Sequence, residues 1–107
     1  MKIRVTEPLL DYENKPIKKE DGKDLTVREA IAIALNNYLS TETPTAEQKA
    51  KSFQISLKLY IDKDVDLTLD DRMFIKERAG VILGVVPLGR LSEILEGAEK
   101  PDAQKTN

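Results

Sequence analysis

Apolar positions recur at helical spacing in four stretches of this chain, and a threonine stands directly before each of the first three. Thr26 is followed three residues later by Glu29, Thr45 by Gln48, and Thr68 by Asp71. A threonine hydroxyl in that place accepts from a free first-turn amide, and the acidic or amide side chain reaches back to the threonine's own N–H. Three helix starts are therefore predicted. The first helix runs from Val27 to about Leu39, with Val27, Ala30, Ile31, Ala34, Leu35, Tyr38 and Leu39 on one face. The second runs from Ala46 to about Ile61. Ala46, Ala50, Phe53, Leu57, Tyr60 and Ile61 lie on one face, and Ile55 and Leu59 make a second stripe on roughly the opposite face. This helix is therefore expected to be central, covered on one side by helices and on the other by the N-terminal arm or a partner.

A third helix opens near Leu69 and ends near Gly80 or continues toward Gly84. Pro87 suits the first turn of a last helix reaching Glu96, with Leu88, Leu91, Ile94 and Leu95 inward and Gly97 as the stop. Upstream of the helices, Lys2 to Thr6 alternates polar and apolar with the period of a strand. Pro8 interrupts it, and Glu13–Pro16 and Asp21-Gly22 read as turns. Residues 1–25 are thus expected to form a β-hairpin or irregular β-arm whose Ile3, Val5, Leu9, Leu10 and Ile17 lie on the helices. No internal repeat at a fixed period emerges from this reading. The expected fold is α+β, mainly α: one domain over 1–97, with the arm followed by a three- to four-helix bundle over 26–97. Residues 98–107 are expected to be a disordered tail.

Composition narrows the chemistry. In 107 residues there is no cysteine and no histidine, so thiolate ligands, thiol nucleophiles, imidazole bases and disulfides are all excluded. The expectation is a protein that is not an enzyme, with no cofactor and no metal. The net charge of −2, with both signs interspersed, lacks the basic field of a nucleic-acid binder. No apolar run suits a membrane span, and the first residues lack the apolar core of a secretory signal, which predicts a cytoplasmic protein.

Four features invite a sharper reading. Asp62, Asp64, Asp66 and Asp70 have part of the spacing of a calcium loop, but Leu67 stands where glycine is needed and Met73 where the bidentate glutamate belongs, so a solvated connector is preferred. Glu93 and Glu96 share a helix face without any sign of a pocket. The third and last helices have the order of a helix-turn-helix, with Arg72, Lys76, Arg78 and Arg90 as its cations, and a DNA-associated regulator is the alternative function. The fourth feature is the apolar surplus. Ile55 and Leu59, with Val81, Ile82, Val85 and Val86 from the least polar stretch of the chain, are the candidate protein interface. The expected partner is another protein or a second copy of the chain, not a nucleic acid, a membrane or a small-molecule substrate.

A loose resemblance accompanies this layout. Pro8-Leu9-Leu10-Asp11, Lys15-Pro16-Ile17, Gly22 to Val27, Lys58-Leu59-Tyr60, the Asp66-Leu67-Thr68 helix start and Ile75-Lys76-Glu77 look like small uncharacterised proteins of tailed-phage and prophage genomes. It covers roughly residues 2–96 and departs from that pattern at Gly84 to Gly89. The resemblance implies an accessory or virion-assembly context and supplies no catalytic residue.

Overall fold

A computed structural model describes residues 2–97; the expected tail over 98–107 lies outside them. Six elements follow in chain order: β1 (Lys2–Arg4), α1 (Val27–Asn36), α2 (Ala46–Leu59), β2 (Asp64–Asp66), α3 (Leu69–Ile82) and α4 (Val85–Gly97). The fold is mainly α with a small β part, as expected. All three predicted capping boxes form, at Thr26–Glu29, Thr45–Gln48 and Thr68–Asp71. In each, the threonine oxygen accepts the amide of the third helical residue and that residue's side chain accepts the threonine amide.

The helix ends depart from expectation for local reasons. α1 stops at Asn36 rather than Leu39. Asn36 Nδ2 donates to Ala32 O at 2.8 Å and Asn37 Nδ2 to Ile33 O at 2.7 Å, which satisfies last-turn carbonyls and releases the chain. α3 passes through Gly80 to Ile82. α4 begins two residues before Pro87, with Leu88 N–H donating to Gly84 O at 3.0 Å; proline sits third, where its missing N–H is unneeded.

β1 finds its partner far along the chain. It pairs antiparallel with β2 in the register Lys2↔Asp66, Ile3↔Val65, Arg4↔Asp64. The segment read as a solvated connector is therefore a strand: Val65 and Leu67 are buried, while Asp64 faces out and binds Arg4 at 3.0 Å. Alternation from Asp64 to Leu67 decides this, since Val65 and Leu67 are apolar and Asp64 and Asp66 acidic.

The arm over residues 7–26 is an irregular β unit, and it does contain a repeat. Three isolated bridges, Pro8↔Thr26, Leu10↔Pro16 and Lys18↔Asp24, recur with an offset of eight residues. Leu9 N–H donates to Leu25 O (2.9 Å), Leu25 N–H to Ile17 O (2.8 Å), and Ile17 N–H to Leu9 O (2.9 Å), closing a triangle of main chains. Two equivalent turns join its sides. Asp11–Lys15 and Lys19–Lys23 are each bridged by a main-chain hydrogen bond of 2.8 Å, and the left-handed residue is Asn14 (φ 64°) in one and Gly22 (φ 85°) in the other. The expectation of no internal repeat is corrected: Pro8-Leu9, Pro16-Ile17 and Asp24-Leu25 mark an eight-residue period.

Leu9, Leu25 and Ile17 from this triangle pack on one hydrophobic core with Ile3, Val5, Val65 and Leu67. The helices contribute Val27, Ala30, Ile31, Ala34 and Leu35 of α1, Ile55 and Leu59 of α2, Ile75 and Ala79 of α3, and Leu91 and Leu95 of α4. α1, not α2 as expected, is the central element, packed against α2, α3 and α4, while one side of α2 is left exposed. Arg90 of α4 clasps the arm, donating to Leu10 O (3.2 Å), Asp11 O (2.9 Å) and Asn14 Oδ1 (3.2 Å).

Candidate interaction surface

α2 is the helix whose orientation the apolar count misjudges. Ser52, Ile55 and Leu59 face the core, whereas Ala46, Ala50, Phe53, Leu57, Tyr60 and Ile61 face solvent. Phe53 is 63% exposed, Leu57 55%, Tyr60 61% and Ile61 79%. Ile55 and Leu59, proposed from the sequence as interface groups, are core residues at 1% and 0%; that assignment is corrected.

Polar pairings along both flanks of α2 hold it in this rotation. Toward α3, Lys58 Nζ binds Asp71 at 2.7 Å and Lys51 binds Asp70, with Lys51 also 5.9 Å from the Phe74 ring centroid. Burial acts to raise the Asp71 pKa, but the Lys58 ammonium and the Thr68 amide outweigh it and hold the carboxyl below its ordinary value. Toward α1, Asn36 Nδ2 donates to Ser56 Oγ at 3.2 Å, and the Tyr38 and Ser52 hydroxyls lie 3.3 Å apart. Arg28 Nε donates to Leu59 O at 2.6 Å, closing the C-terminal end of the helix. Turning the larger apolar stripe inward would break both sets of partners. What remains outside is one helix face with Ala46, Ala50, Phe53 and Leu57 at i, i+4, i+7 and i+11, continued by Tyr60 and Ile61 in the turn after the helix, with the Arg28 guanidinium 5.0 Å from the Tyr60 ring centroid.

The other sequence candidates lie at the α3–α4 corner. Val81 is 41% exposed and Val85 77%, while Ile82 and Val86 are half-buried. Val85 and Val86 join Tyr12, Gly89, Arg90 and Glu93 around an open groove of about 340 Å³. Four of the six candidates thus reach or approach the surface, and the remaining two form core beneath a different helix.

The cations of the supposed helix-turn-helix are engaged within the chain. Arg78, 6% exposed, is gripped by Glu42 (2.5 and 3.2 Å), donates to Asn37 O at 2.8 Å, and sits 4.1 Å from the Tyr38 ring centroid. Hydrogen bonding to Arg78 holds the Glu42 carboxyl below its ordinary pKa. Arg72 is 7% exposed with Nη1 toward Leu67 O, Lys76 pairs with Glu96 at 3.1 Å, and Arg90 is occupied by the arm and Glu93. Buried arginines on α3 were missed because their spacing reads as surface charge; the compensating Glu42 lies 36 residues away.

Among the described residues, no group of three or more acidic side chains converges on a metal position, and no helix is long and apolar enough to cross a membrane. Comparison of the chain with protein-family models, curated proteins and solved structures gives no match.

Proposed function

We propose that this is a small non-enzymatic binding protein that acts by presenting the outer face of α2 to an apolar protein surface, in the manner of an assembly accessory factor. One observation carries the reading: Phe53 and Leu57 of α2, with Tyr60 and Ile61 in the turn that ends it, are all more than half exposed and extend one stripe along the side of α2 that faces away from the core. A lone exposed leucine is ordinary, but four large apolar side chains in one helical stripe are the mark of an interface. Such a stripe presents i, i+4, i+7 anchors of the kind that helix-in-groove recognition uses. The loose likeness of the arm and helix starts to phage and prophage proteins favours a virion-assembly setting for that activity. DNA binding through α3 and α4 has no observation in its favour, because the arginines it needs are committed to Glu42, to Leu67 O and to the arm.

The test is site-specific photo-crosslinking. A benzophenone side chain at position 53, in chain expressed in its native host, is expected to give a discrete protein adduct that Leu57→Asp abolishes. Absence of any adduct, with itself or another protein, would overturn the binding function.

A further inference from the structure

The exposed stripe of α2 is graded along its length. Its N-terminal end carries the small side chains Ala46 and Ala50, its middle Phe53 and Leu57, and the turn that closes the helix adds Tyr60 and Ile61. Two such stripes laid parallel would set alanine against alanine and tyrosine against tyrosine, leaving a wedge-shaped gap. Laid antiparallel, small meets large at both ends and Phe53 meets Leu57 in the middle, so the combined thickness stays constant. This is the self-complementarity that a two-fold interface requires.

The charges at the two ends of the stripe permit this pairing, since each end carries one acid and one base. Glu47 and Lys49 flank the alanine end, and Asp62 and Lys63 lie just past the tyrosine end; all four are exposed and none forms an ion pair among the described residues. The lysines on the α3 flank, Lys51 and Lys58, are by contrast both paired. Antiparallel packing brings each end of one copy to the opposite end of the other, so that Glu47 can meet Lys63 and Lys49 can meet Asp62.

The area suffices for association. Large side chains bury about 150–250 Å² each, so four at 55–79% exposure leave roughly 450 Å² on view. Two copies would remove about 900 Å² from these side chains alone, and the alanines and charged rim bring the total to the ~1,000–1,200 Å² floor of specific interfaces.

We infer that the partner of this face is a second copy of the chain, packed α2 against α2 in antiparallel fashion about a two-fold axis between Phe53 and Leu57. This rests on the binding function proposed for the same face and names its occupant. An area at this floor belongs to weak, reversible pairing, and a dissociation constant on the order of 10–100 μM is expected.

The test is sedimentation equilibrium of the full chain from about 1 to 500 μM, spanning the expected constant. A monomer–dimer equilibrium is expected, with Leu57→Asp weakening it by about thirtyfold or more, as loss of a central anchor does. Leu69→Asp, on α3 at the same 55% exposure, serves as the control and should leave the constant unchanged. The chain has no cysteine, so introduced thiols report unambiguously. A mixture of Ala50→Cys and Tyr60→Cys chains should oxidise to the mixed disulfide in preference to either homodimer. A monomer at every concentration, a dimer indifferent to Leu57→Asp, or a dominance of like-with-like disulfides would each overturn the antiparallel pairing. A wild-type monomer that still gives an adduct with a different protein at position 53 would overturn self-pairing and leave the binding function standing.

Discussion

Leu57 and Leu59 are two residues apart on α2, one 55% exposed and the other 0%, and truncating each to alanine tests which side of the helix is inside. At position 59 the change removes three buried carbons and leaves a cavity among core side chains. Comparable truncations cost about 2.7–5.0 kcal/mol, so about 3 kcal/mol is expected. Against a total of ~5–15 kcal/mol that is a large fraction, and at ~4–8 °C per kcal/mol it lowers the melting temperature by roughly 12–24 °C. At position 57 less than half of the leucine is shielded, so the loss is under ~1 kcal/mol, partly offset by alanine's better helix propensity. The assay is urea unfolding followed by far-UV circular dichroism at about 1 μM, where mass action from self-pairing contributes little. The expected gap is at least ~2 kcal/mol with unchanged denaturant slopes. Equal costs, or a larger cost at Leu57, would refute the orientation of α2 and with it the exposed stripe.

Three further outcomes follow from the same coordinates. Glu29, Glu42 and Asp71 all have folded-state pKa values below their ordinary ones: hydrogen bonds from Lys19 and Arg78 act first on the two glutamates, and the Lys58 and Thr68 donors overcome burial at Asp71. Their stabilising contribution is therefore complete above the ordinary carboxylate range of ~3.9–4.3 and is lost as pH falls through the depressed values, so the urea midpoint should be level near neutrality and drop below about pH 4.5; a midpoint that rises on acidification would contradict this. Arg90→Ala removes the three hydrogen bonds that clasp the first arm turn, and hydrogen exchange should quicken at least about tenfold, for ~1.4 kcal/mol or more of lost protection, at Asn14 and Lys15 while α1 amides hold. Gly22 has φ 85° with open space where a Cβ would stand, so Gly22→Ala should cost about 1 kcal/mol from backbone strain alone, and Gly22→Asn clearly less, because Asn14 already adopts that conformation in the equivalent turn; equal costs measured by thermal melts would deny the equivalence of the two turns.

How much of this was legible in the residues depended on distance along the chain. The capping boxes need only four consecutive positions, and all three were readable. The inward face of α1 was equally plain, because Val27, Ala30, Ile31, Ala34 and Leu35 form an unbroken stripe. α2 has two apolar stripes, and the larger one is outside. What decides the matter is the partnership of Lys51 and Lys58 with Asp70 and Asp71, and of Ser52 and Ser56 with Tyr38 and Asn36. Those pairs join residues 13–20 positions apart and are invisible to periodicity. The candidate interface failed at Ile55 and Leu59 for that reason. The eight-residue repeat of the arm was within reach, since Pro8-Leu9, Pro16-Ile17 and Asp24-Leu25 are evenly spaced, but the period suits neither a helix nor a strand. The β1–β2 pairing was partly legible: the short alternation from Asp64 to Leu67 suits a strand, while its partner 60 residues upstream leaves no local trace.

The union of β1 with β2 bears on how the molecule comes into being. Lys2 to Arg4 cannot acquire its neighbour until Asp66 has left the ribosome, when α2 has only just been completed and α3 and α4 are still to come. Until then Ile3 and Val5 have only the growing helices to cover them. Closing so wide a circuit demands that ordering entropy be met before any ladder bond rewards it. The small sheet should therefore lock late, as a latch that ties the first residues of the chain to the hinge between its two halves.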